Sequence, residues 1–385
     1  MKRITTVRGD MKPEELGVTS IHEHALSKLF DEYDPEAIFE SSKKYWGLPD
    51  DGGYQVPKRE QLEISLENLG FLRSGWGMLC GVHTFYDDYG SFVRELQYFR
   101  EAGGNSLCEA TPCGMHSGFM EDIRKASEAT GVNIIACTGI YVAHLQPEEL
   151  AAKSVSELAA YFLNEVEHGI DGTDIKPGFT KCGLQTILPE GDVHPLELKG
   201  LRSASQAAAE TGMALEVHII GLHEEHVMQV CDIVLDEYGL APEKVLICHQ
   251  DLGIFDSCSI SEHVRDFDRT SRLQLETQLK VLDKGINISY DNWGSVTMSP
   301  FEVLDIYNPT DLDKLRALDI LLQKGYESQI MLGHDSIGRL NGVCGGGYGY
   351  TRVLGFVIPM LEKLGYSKST VNKMLIDNPA DFLAY

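Results

Sequence analysis

The chain lacks features that mark several classes of protein. No apolar run approaches the ~18 residues that a membrane-spanning helix needs, and the first residues carry no apolar stretch typical of a secretory signal. Positive charge is scarce, since 33 Lys and Arg stand against 58 Asp and Glu, which gives a formal net charge of -25. Nucleic acids and membrane surfaces are therefore not expected as partners, because both bind basic surfaces.

Paired cysteine spacings are also missing. The chain has nine cysteines, an odd number, and several of them (Cys80, Cys108, Cys137 and Cys248) lie within apolar segments. Because a disulfide framework shows an even number of cysteines at characteristic spacings, we expect reduced thiols and a cytoplasmic protein. No low-complexity segment or change of composition divides the 385 residues, which predicts one domain over residues 1–385.

From about residue 90 the chain alternates regularly between short apolar segments and amphipathic segments. With a first strand close to the N-terminus, this pattern gives eight strand–helix units and indicates a parallel sheet. The predicted strands are 18–22, 105–110, 132–138, 178–183, 214–218, 245–249, 285–290 and 329–333. The predicted helices are 91–101, 121–130, 154–168, 196–211, 224–238, 273–284, 312–324 and 353–364, with an extra C-terminal helix at 368–383.

Two architectures fit eight such units, an open doubly wound sheet and a closed (β/α)8 TIM barrel. We favour the α/β barrel because no Gly-x-Gly-x-x-Gly follows the first strand. A long polar insertion at about residues 25–89 separates the first strand from the regular part. Segments of this length often carry function. We expect a lid or an oligomer contact there, and Lys43, Lys44 or Arg59 could reach the site.

Potential metal ligands stand at the predicted carboxyl ends of five strands. In a barrel these ends meet at one mouth, where catalytic residues lie. Each residue alone also has a purely structural explanation, such as a hydrogen-bonded histidine or an aspartate that caps the following turn. Their coincidence at one mouth favours a metal site. The six residues are His22, His24, Lys181, His218, His249 and Asp335.

The segments around these residues resemble the phosphotriesterase-like branch of the amidohydrolase superfamily. The resemblance extends from residue 17 to the C-terminus, in the order and spacing of all six residues. The matching segments are Thr19-Ser20-Ile21-His22-Glu23-His24, Gly178-Phe179-Thr180-Lys181, Glu216-Val217-His218, Ile247-Cys248-His249 and Leu332-Gly333-His334-Asp335. Residues 136–141 and 377–380 also fit.

The resemblance implies a binuclear metal centre. The two histidines of strand 1 and the aspartate of strand 8 would hold a buried ion, and the histidines of strands 5 and 6 a more exposed one. Lys181 would bridge both ions as a carbamate, which is an anionic oxygen ligand, unlike the amine. Zinc is expected, with manganese, cobalt or iron as alternatives. The ions would acidify a bridging water, and Asp335 would pass its proton to the leaving group.

Residues predicted to contact the substrate suggest a polar small molecule. Arg339 and the glycines at 345–347 suit an anion, while Asp291 and Trp293 suit hydroxyls. Tyr141 and Tyr348 complete this set.

These residues favour a sugar-derived or phosphorylated lactone as the substrate. Alternatives are a phosphotriester, an amide of a small acylated amine, or a non-catalytic barrel that only binds. His116 stands where related members often carry an arginine, which puts the substrate contacts of that loop in doubt. A homodimer is a further expectation from the family.

Overall fold

The computed structural model describes residues 2–28, 33–45, 48, 53–82, 85–113, 118–295 and 302–385. Eight strands form one sheet in which all paired neighbours run parallel, in the order of the sequence. They are β1 (Thr19–Glu23), β2 (Ser106–Glu109), β3 (Asn133–Ile140), β4 (Phe179–Leu184), β5 (Ala214–Ile219), β6 (Val245–Ile247), β7 (Asn287–Tyr290) and β8 (Ile330–Leu332).

The sheet closes on itself where β8 meets β1. The backbone N–H of Asp335 donates to the His22 carbonyl oxygen over 3.1 Å. A Cβ atom at Gly333 would lie 3.0 Å from both the nitrogen and the oxygen of His22, so the missing side chain allows the two strands to approach. The predicted (β/α)8 barrel is therefore confirmed, and the open doubly wound sheet is excluded.

Helices surround the barrel, and their order follows the predicted alternation. Gly131 and Gly212 follow two of the helices in the left-handed conformation (φ 73° and 74°), which is common where a helix ends. The α-helices are Pro35–Tyr45, Leu69–Phe71, Gly77–Leu79, Tyr89–Glu101, Met120–Thr130, Glu148–Ala151, Val155–His168, Pro195–Thr211, Glu224–Asp232, Ile260–Arg265, Phe267–Thr270, Glu276–Asp283, Asp311–Gln323, Ile358–Lys363, Lys368–Asn372 and Asn378–Leu383.

Several helices contain π-helical turns, and short 3₁₀ turns occur between elements. The π-helical segments are Leu72–Trp76, Ile233–Glu237, Val353–Val357 and Lys373–Asp377. The 3₁₀ turns are Pro13–Glu15, Arg59–Leu62, Ala143–Leu145, Ile170–Gly172, Pro242–Lys244, Glu302–Leu304, Val343–Gly345 and Gly349–Thr351. No helix in the described ranges has both the length and the apolar character needed to cross a membrane.

The floor of the barrel is plugged by the N-terminal segment and the extra C-terminal helix. A hairpin of Ile4–Thr6 and Gly9–Met11 precedes β1. Ile4, Leu16 and Phe382 are buried in one apolar cluster with residues of the barrel interior. This plug leaves the opposite end, where the strands have their carboxyl termini, as the place for chemistry.

The described part of the insertion packs against loops at the mouth. Ser27–Lys28 pairs with Phe85–Tyr86 as an antiparallel ribbon at its base. Its apolar cluster includes Leu340 from the loop after β8, and Arg73 donates to the carbonyl of Gly346. The members of this cluster are Phe39, Leu62, Leu72, Leu79, Cys80, Val82 and Leu340.

The three basic residues of the insertion were expected near the site. Lys43 pairs with Glu40 on its own helix, with the Nζ and Oε2 atoms 2.9 Å apart. The Arg59 guanidinium lies 5.7 Å from the centre of the Tyr33 ring. The Lys44 side chain lies outside the described residues. The described contacts of Lys43 with Glu40 and of Arg59 with Tyr33 join residues of the insertion itself.

Candidate active site at the barrel mouth

The six predicted metal ligands come together at the carboxyl ends of five strands. Lys181 Nζ lies 3.1 Å from His22 Nε2, and His24 Nε2 lies 3.1 Å from Asp335 Oδ1. On the other side of the site, His249 Nε2 lies 2.7 Å from His218 Nδ1. The predicted convergence is thus present as direct contact between side chains.

Two of these residues have a left-handed backbone. His249 has φ 60° and Asp335 has φ 46°. This conformation costs a residue other than glycine about 1–3 kcal/mol, and such residues cluster at functional sites. In both cases the backbone N–H is fixed by a neighbouring strand or its end. His249 donates to the Asp291 carboxylate over 3.2 Å, and Asp335 donates to the His22 carbonyl.

The side chain of Asp291 is not exposed, as the predicted contact with substrate would require. It was expected to bind substrate hydroxyls, but it is completely buried. Its Oδ1 atom lies 2.9 Å from His249 Nδ1, and it accepts from Ser289 Oγ over 2.5 Å and from Asn292 Nδ2 over 2.9 Å. Asp291 therefore orients His249 from behind. Its place after β7 could be predicted from the sequence, but its contact with His249 could not.

The other predicted substrate-binding residues divide into buried and exposed positions. Trp293 is 1% exposed and belongs to the main apolar core, so its expected contact with substrate is wrong for this structure. The Tyr141 hydroxyl lies 3.3 Å from His218 Nε2, at the mouth as predicted. Tyr348 is exposed and stacks under Arg352, whose guanidinium carbon lies 4.3 Å from the ring centre.

Arg339 is exposed and lies toward the base of the insertion. The pKa of Asp88 lies below its usual value because Ser91 donates to the carboxylate and, to a lesser degree, because Arg339 is nearby. The charge of Arg339 thus acts on Asp88. His116, the residue that departs from the family pattern, lies outside the described residues.

The glycine run after β8 does not form the predicted anion cradle. Its backbone donors are already used, since the N–H groups of Gly345 and Gly347 donate to Gly342 O and that of Gly346 donates to Val343 O. A Cβ atom at Gly345 would lie 1.7 Å from the Arg339 carbonyl oxygen. The glycines therefore allow a tightly folded loop. This corrects the sequence-based expectation.

A carboxylate of the protein itself holds this loop. Val343 N donates to Glu95 Oε2 over 3.0 Å, and Cys344 N donates to Glu95 Oε1 over 2.8 Å. Glu95 is buried, although it belongs to the helix Tyr89–Glu101 on the outside of the barrel. An acidic side chain of the protein thus occupies the two backbone donors that precede the glycine run.

Glu216 is a site residue that the sequence analysis did not single out. Register pairs Lys181 on β4 with Glu216 on β5. Its Oε1 atom lies 2.9 Å from Lys181 Nζ and 2.9 Å from His22 Nδ1, and it is completely buried. The signal was available, because Glu216 precedes His218 by two residues and so faces the same side of the strand.

Glu23 is a second such residue, and it points away from the metal ligands as strand alternation requires. It accepts from the backbone N–H of His334 over 2.9 Å and of Ser336 over 3.1 Å. Its Oε1 atom also lies 2.5 Å from His334 Nδ1. This carboxylate fastens the loop after β8 to β1, and so it positions Asp335 between them.

Burial and neighbouring charges shift the pKa values inside the site. Burial disfavours the charged form of Lys181, yet the Glu216 carboxylate outweighs this and raises its pKa. Burial likewise opposes ionisation of Glu216, but Lys181 and His22 lower its pKa to about 2. Burial, His249 and Lys181 lower the pKa of His218. Lys181 and Glu216 thus form an ion pair beside neutral His218, which leaves its imidazole nitrogen available for coordination.

The donor set fits divalent metal ions. Ligand atoms of His22, His24 and Asp335 lie within 4.8 Å of one another, and so do those of His22, His249 and Asp291. Among the described residues, the buried Glu216 Oε2 atom has no hydrogen-bond partner. Imidazole and carboxylate ligands suit zinc and neighbouring transition metals. A buried carboxylate oxygen without a partner fits a site organised around cations.

The whole sequence shows to which protein family the chain is related. The profile of the Phosphotriesterase family matches residues 2–383. The chain belongs to the Phosphotriesterase family. It is a hydrolase of this family, with candidate histidine and aspartate ligands for metal at the mouth of its barrel.

Known proteins that are similar to this chain carry different names. The chain is 28% identical over 386 residues to the N-acetyltaurine hydrolase of Mus musculus, covering 100% of this chain and 98% of the relative. A resiniferatoxin-binding protein from Rhodobacter sphaeroides has a similar fold, with TM-score 0.78, 24% identity and coverage of 99% and 94%. A lactonase from Listeria monocytogenes gives TM-score 0.70, 20% identity and coverage of 99% and 98%.

A large cavity opens beside the ligand cluster of this Phosphotriesterase family member. It has a volume of about 790 Å³ and is bounded by the loops after β5, β6 and β7, with His249 in its wall. Another cavity, of about 430 Å³, lies against the N-terminal hairpin and includes none of the six predicted ligands. The cavity at His249 is therefore the candidate substrate cavity of this site.

Proposed function

We propose that this chain is a binuclear-metal hydrolase that cleaves an acyl bond, with a polar lactone as the first candidate substrate. The observation that carries the proposal is the contact between all six predicted ligands at one barrel mouth. Divalent ions held there would supply a water acidified to near neutral pKa and polarise the carbonyl oxygen. The protein would supply the positions of the ligands and the route for the proton.

Asp335 is the residue best placed to move a proton. Its side chain is 18% exposed, whereas those of His22 and Lys181 are 1% exposed. One of its carboxylate oxygens lies 3.1 Å from His24 Nε2 and the other 3.9 Å from His249 Nδ1. The carboxylate therefore stands between the two groups of histidines and keeps an exposed part, as a general base and acid must.

Lys181 would hold both ions from below as a carbamate. Its amine lies deep between His22 and Glu216, in a position that faces the whole ligand cluster. As an ammonium ion it cannot coordinate a cation, because it has no lone pair. Carboxylation of the amine by carbon dioxide forms an N–C bond, releases a proton and creates two oxygen ligands. This chemistry supports Lys181 as the bridge.

An amide of a small acylated amine is the second candidate substrate. The observation that favours it is the similarity over the whole chain to relatives named N-acetyltaurine hydrolase. Lactone and amide hydrolysis pass through the same attack on a carbonyl carbon, so one site serves either bond. The structure weakens the phosphorylated lactone, because the N–H groups of Gly345, Gly346 and Gly347 donate within their own loop. It also weakens the sugar-derived lactone, because Asp291 is buried.

Metal analysis combined with a substrate panel tests the proposal. We expect about two ions per chain in the metal-replete wild type, and clearly fewer in Lys181→Ala. Lys176→Ala is the matched control, because this exposed lysine precedes β4 and lies away from the ligand cluster. One ion or none in the wild type would contradict the binuclear centre.

The panel contains lactones, N-acetyl amines and an aryl phosphotriester. Turnover of a lactone or an amide supports acyl hydrolysis and identifies the bond. Efficient turnover of the phosphotriester alone would replace the proposal with phosphotriester hydrolysis. Binding without turnover of any member, in protein that holds two ions, would contradict an acyl hydrolase and indicate a binding barrel.

A further inference from the structure

We propose that the cavity beside His249 accepts substrates whose part distant from the carbonyl is uncharged or cationic, and discriminates against sulfonates, carboxylates and phosphates. This inference rests on the proposed acyl hydrolysis and specifies the substrate class of the same site. It also separates this chain from relatives named for N-acetyltaurine, whose distal group is a sulfonate.

The cavity meets the predicted ligand cluster at His249, the one predicted ligand among its described lining residues. Its volume of about 790 Å³ lies in the range of small-molecule sites. His249 forms the inner wall, so a carbonyl at the metal centre would place the rest of the molecule between the loops after β5 and β6. Apolar side chains form much of that space, namely Leu222, Val227, Leu252, Phe255 and Ile306.

The charged side chains of this cavity are acidic. Asp256 and Glu276 are exposed in its wall, and neither forms an ion pair within the described part of the chain. The third carboxylate, Glu224, pairs with Lys280, which is not a lining residue. The cavity thus presents two uncompensated carboxylates to a molecule that enters it.

Cationic partners for an anionic substrate are scarce in the same wall. Among the described residues that line the cavity there is no lysine or arginine, and His223 and His249 are its histidines. Sulfonates, carboxylates and phosphates bind tightly where arginine, lysine or free backbone N–H groups replace their water. An anion in this cavity would lose water without such replacement, and it would also meet Asp256 and Glu276.

The anion-binding features predicted elsewhere at the mouth do not compensate. The N–H groups of the glycine run donate within their own loop, and Glu95 occupies the donors that precede it. Arg339 lies near Asp88 at the base of the insertion and does not line the cavity. A distal ammonium or hydroxyl group, in contrast, finds carboxylates, amides and hydroxyls along the wall.

Four N-acetyl amines of similar length but different charge test the inference with the metal-loaded enzyme. They are N-acetylethylenediamine, N-acetylethanolamine, N-acetyl-β-alanine and N-acetyltaurine. We expect kcat/KM for the cationic and neutral compounds to exceed that for the two anions by about tenfold or more at low ionic strength. Equal or better use of the anions would overturn the inference and leave acyl hydrolysis intact.

Charge reversal in the wall gives the sharper test. In Asp256→Lys and in Glu276→Lys, the ratio of kcat/KM for N-acetyltaurine to that for N-acetylethylenediamine should rise about fivefold, and more in the double variant. Glu243→Lys is the control, since this exposed residue precedes β6 at the opposite end of the barrel. An unchanged ratio in the double variant would overturn the inference.

Binding separates this inference from the proposed function. N-acetylethylenediamine and N-acetyltaurine are titrated by calorimetry into metal-loaded Asp335→Asn, with and without the two wall substitutions. Preference for N-acetylethylenediamine, reversed by Asp256→Lys together with Glu276→Lys, supports the charge selectivity even if no amide is hydrolysed. In that case the proposed hydrolysis of amides fails and the charge selectivity of the cavity stands. Equal affinity for both compounds would overturn the inference.

Discussion

Lys181 and Glu216 face each other inside the barrel, with Lys181 Nζ 2.9 Å from Glu216 Oε1 and both side chains buried. They are register neighbours on β4 and β5. Lys181 is itself one of the predicted metal ligands, and Glu216 joins it to a second one, since the same Glu216 oxygen lies 2.9 Å from His22 Nδ1. In the metal-free site the Glu216 carboxylate therefore neutralises the Lys181 ammonium.

Glu216→Ala should destabilise the metal-free protein strongly. Removal of one partner of a buried ion pair leaves an uncompensated charge, which costs about 3–5 kcal/mol. Urea unfolding in the presence of a chelator measures the free energy of unfolding. Glu165→Ala is the matched control, because Glu165 is also buried and accepts from Thr138 Oγ1 over 2.5 Å, but contacts no predicted ligand. A loss for Glu216→Ala no larger than for the control would contradict this role.

The same pair predicts the acid stability of the metal-free protein. The pKa of Glu216 falls from a usual value of 4.5 to about 2 in the folded state, because the effects of Lys181 and His22 outweigh that of burial. A carboxyl group with a depressed pKa stabilises the fold above its unfolded pKa, and this contribution is lost as the pH falls through the folded value.

Wild type should therefore lose more free energy of unfolding between pH 5 and 3 than Glu216→Gln does. Urea titrations at each pH provide the measurement, with chelator present throughout. Parallel curves for the two proteins would show that Glu216 titrates normally.

Asp335→Asn should abolish most of the hydrolytic activity and preserve the fold. The amide keeps the shape of the side chain but cannot accept and return a proton, a role worth about 10²–10⁴-fold in rate. Steady-state kcat on the best substrate of the panel is the measurement, with circular dichroism to verify folding. Asp319→Asn, on the helix Asp311–Gln323 outside the barrel, is the control. Activity within threefold of wild type in Asp335→Asn would exclude the proton-transfer role.

Asp291→Asn distinguishes a positioning residue from a substrate contact. Because Asp291 Oδ1 lies 2.9 Å from His249 Nδ1, its loss should weaken metal binding about 10–100-fold, as for other partners of ligating histidines. Competition with a metal chelator measures this affinity. If Asp291 instead bound substrate, KM would rise while metal affinity stayed unchanged.

Gly345→Ala should disrupt the loop after β8. A Cβ atom there would lie 1.7 Å from the Arg339 carbonyl oxygen, so the loop must move. We expect a loss of about 2 kcal/mol or more in the free energy of unfolding, in the range of strong overpacking. Gly70→Ala is the control, because a Cβ atom at Gly70 meets nothing within 4 Å. Equal stability of the two variants would contradict a tightly folded loop at Gly345.

The positions of strands and helices could be predicted because they depend on local patterns. The strand predicted at 214–218 is Ala214–Ile219, and the helix predicted at 312–324 is Asp311–Gln323. The type of helix could not be predicted where the hydrogen-bonding pattern of the backbone changes within a helix. The helix predicted at 224–238 is α-helical to Asp232 and continues as a π-helical turn over Ile233–Glu237.

The candidate ligands could be predicted for a similar reason. In a barrel of parallel strands, the carboxyl ends of all strands lie at one mouth. The position of a residue at the end of a strand can therefore be predicted. Substrate-binding residues on loops have no such rule. Asp291 and Trp293 follow β7 directly, yet both fold inward, while Arg339 lies near Asp88.

The sequence by itself determined the barrel and indicated the candidate metal ligands at one end of it, since periodicity and strand order are local properties of the chain. Only the tertiary structure decided that Glu216 pairs with Lys181, that Glu95 fills the donors of the loop after β8, and that the cavity wall is acidic. Those outcomes depend on residues far apart in sequence, whose contacts are set by register and loop packing and leave no periodic signal.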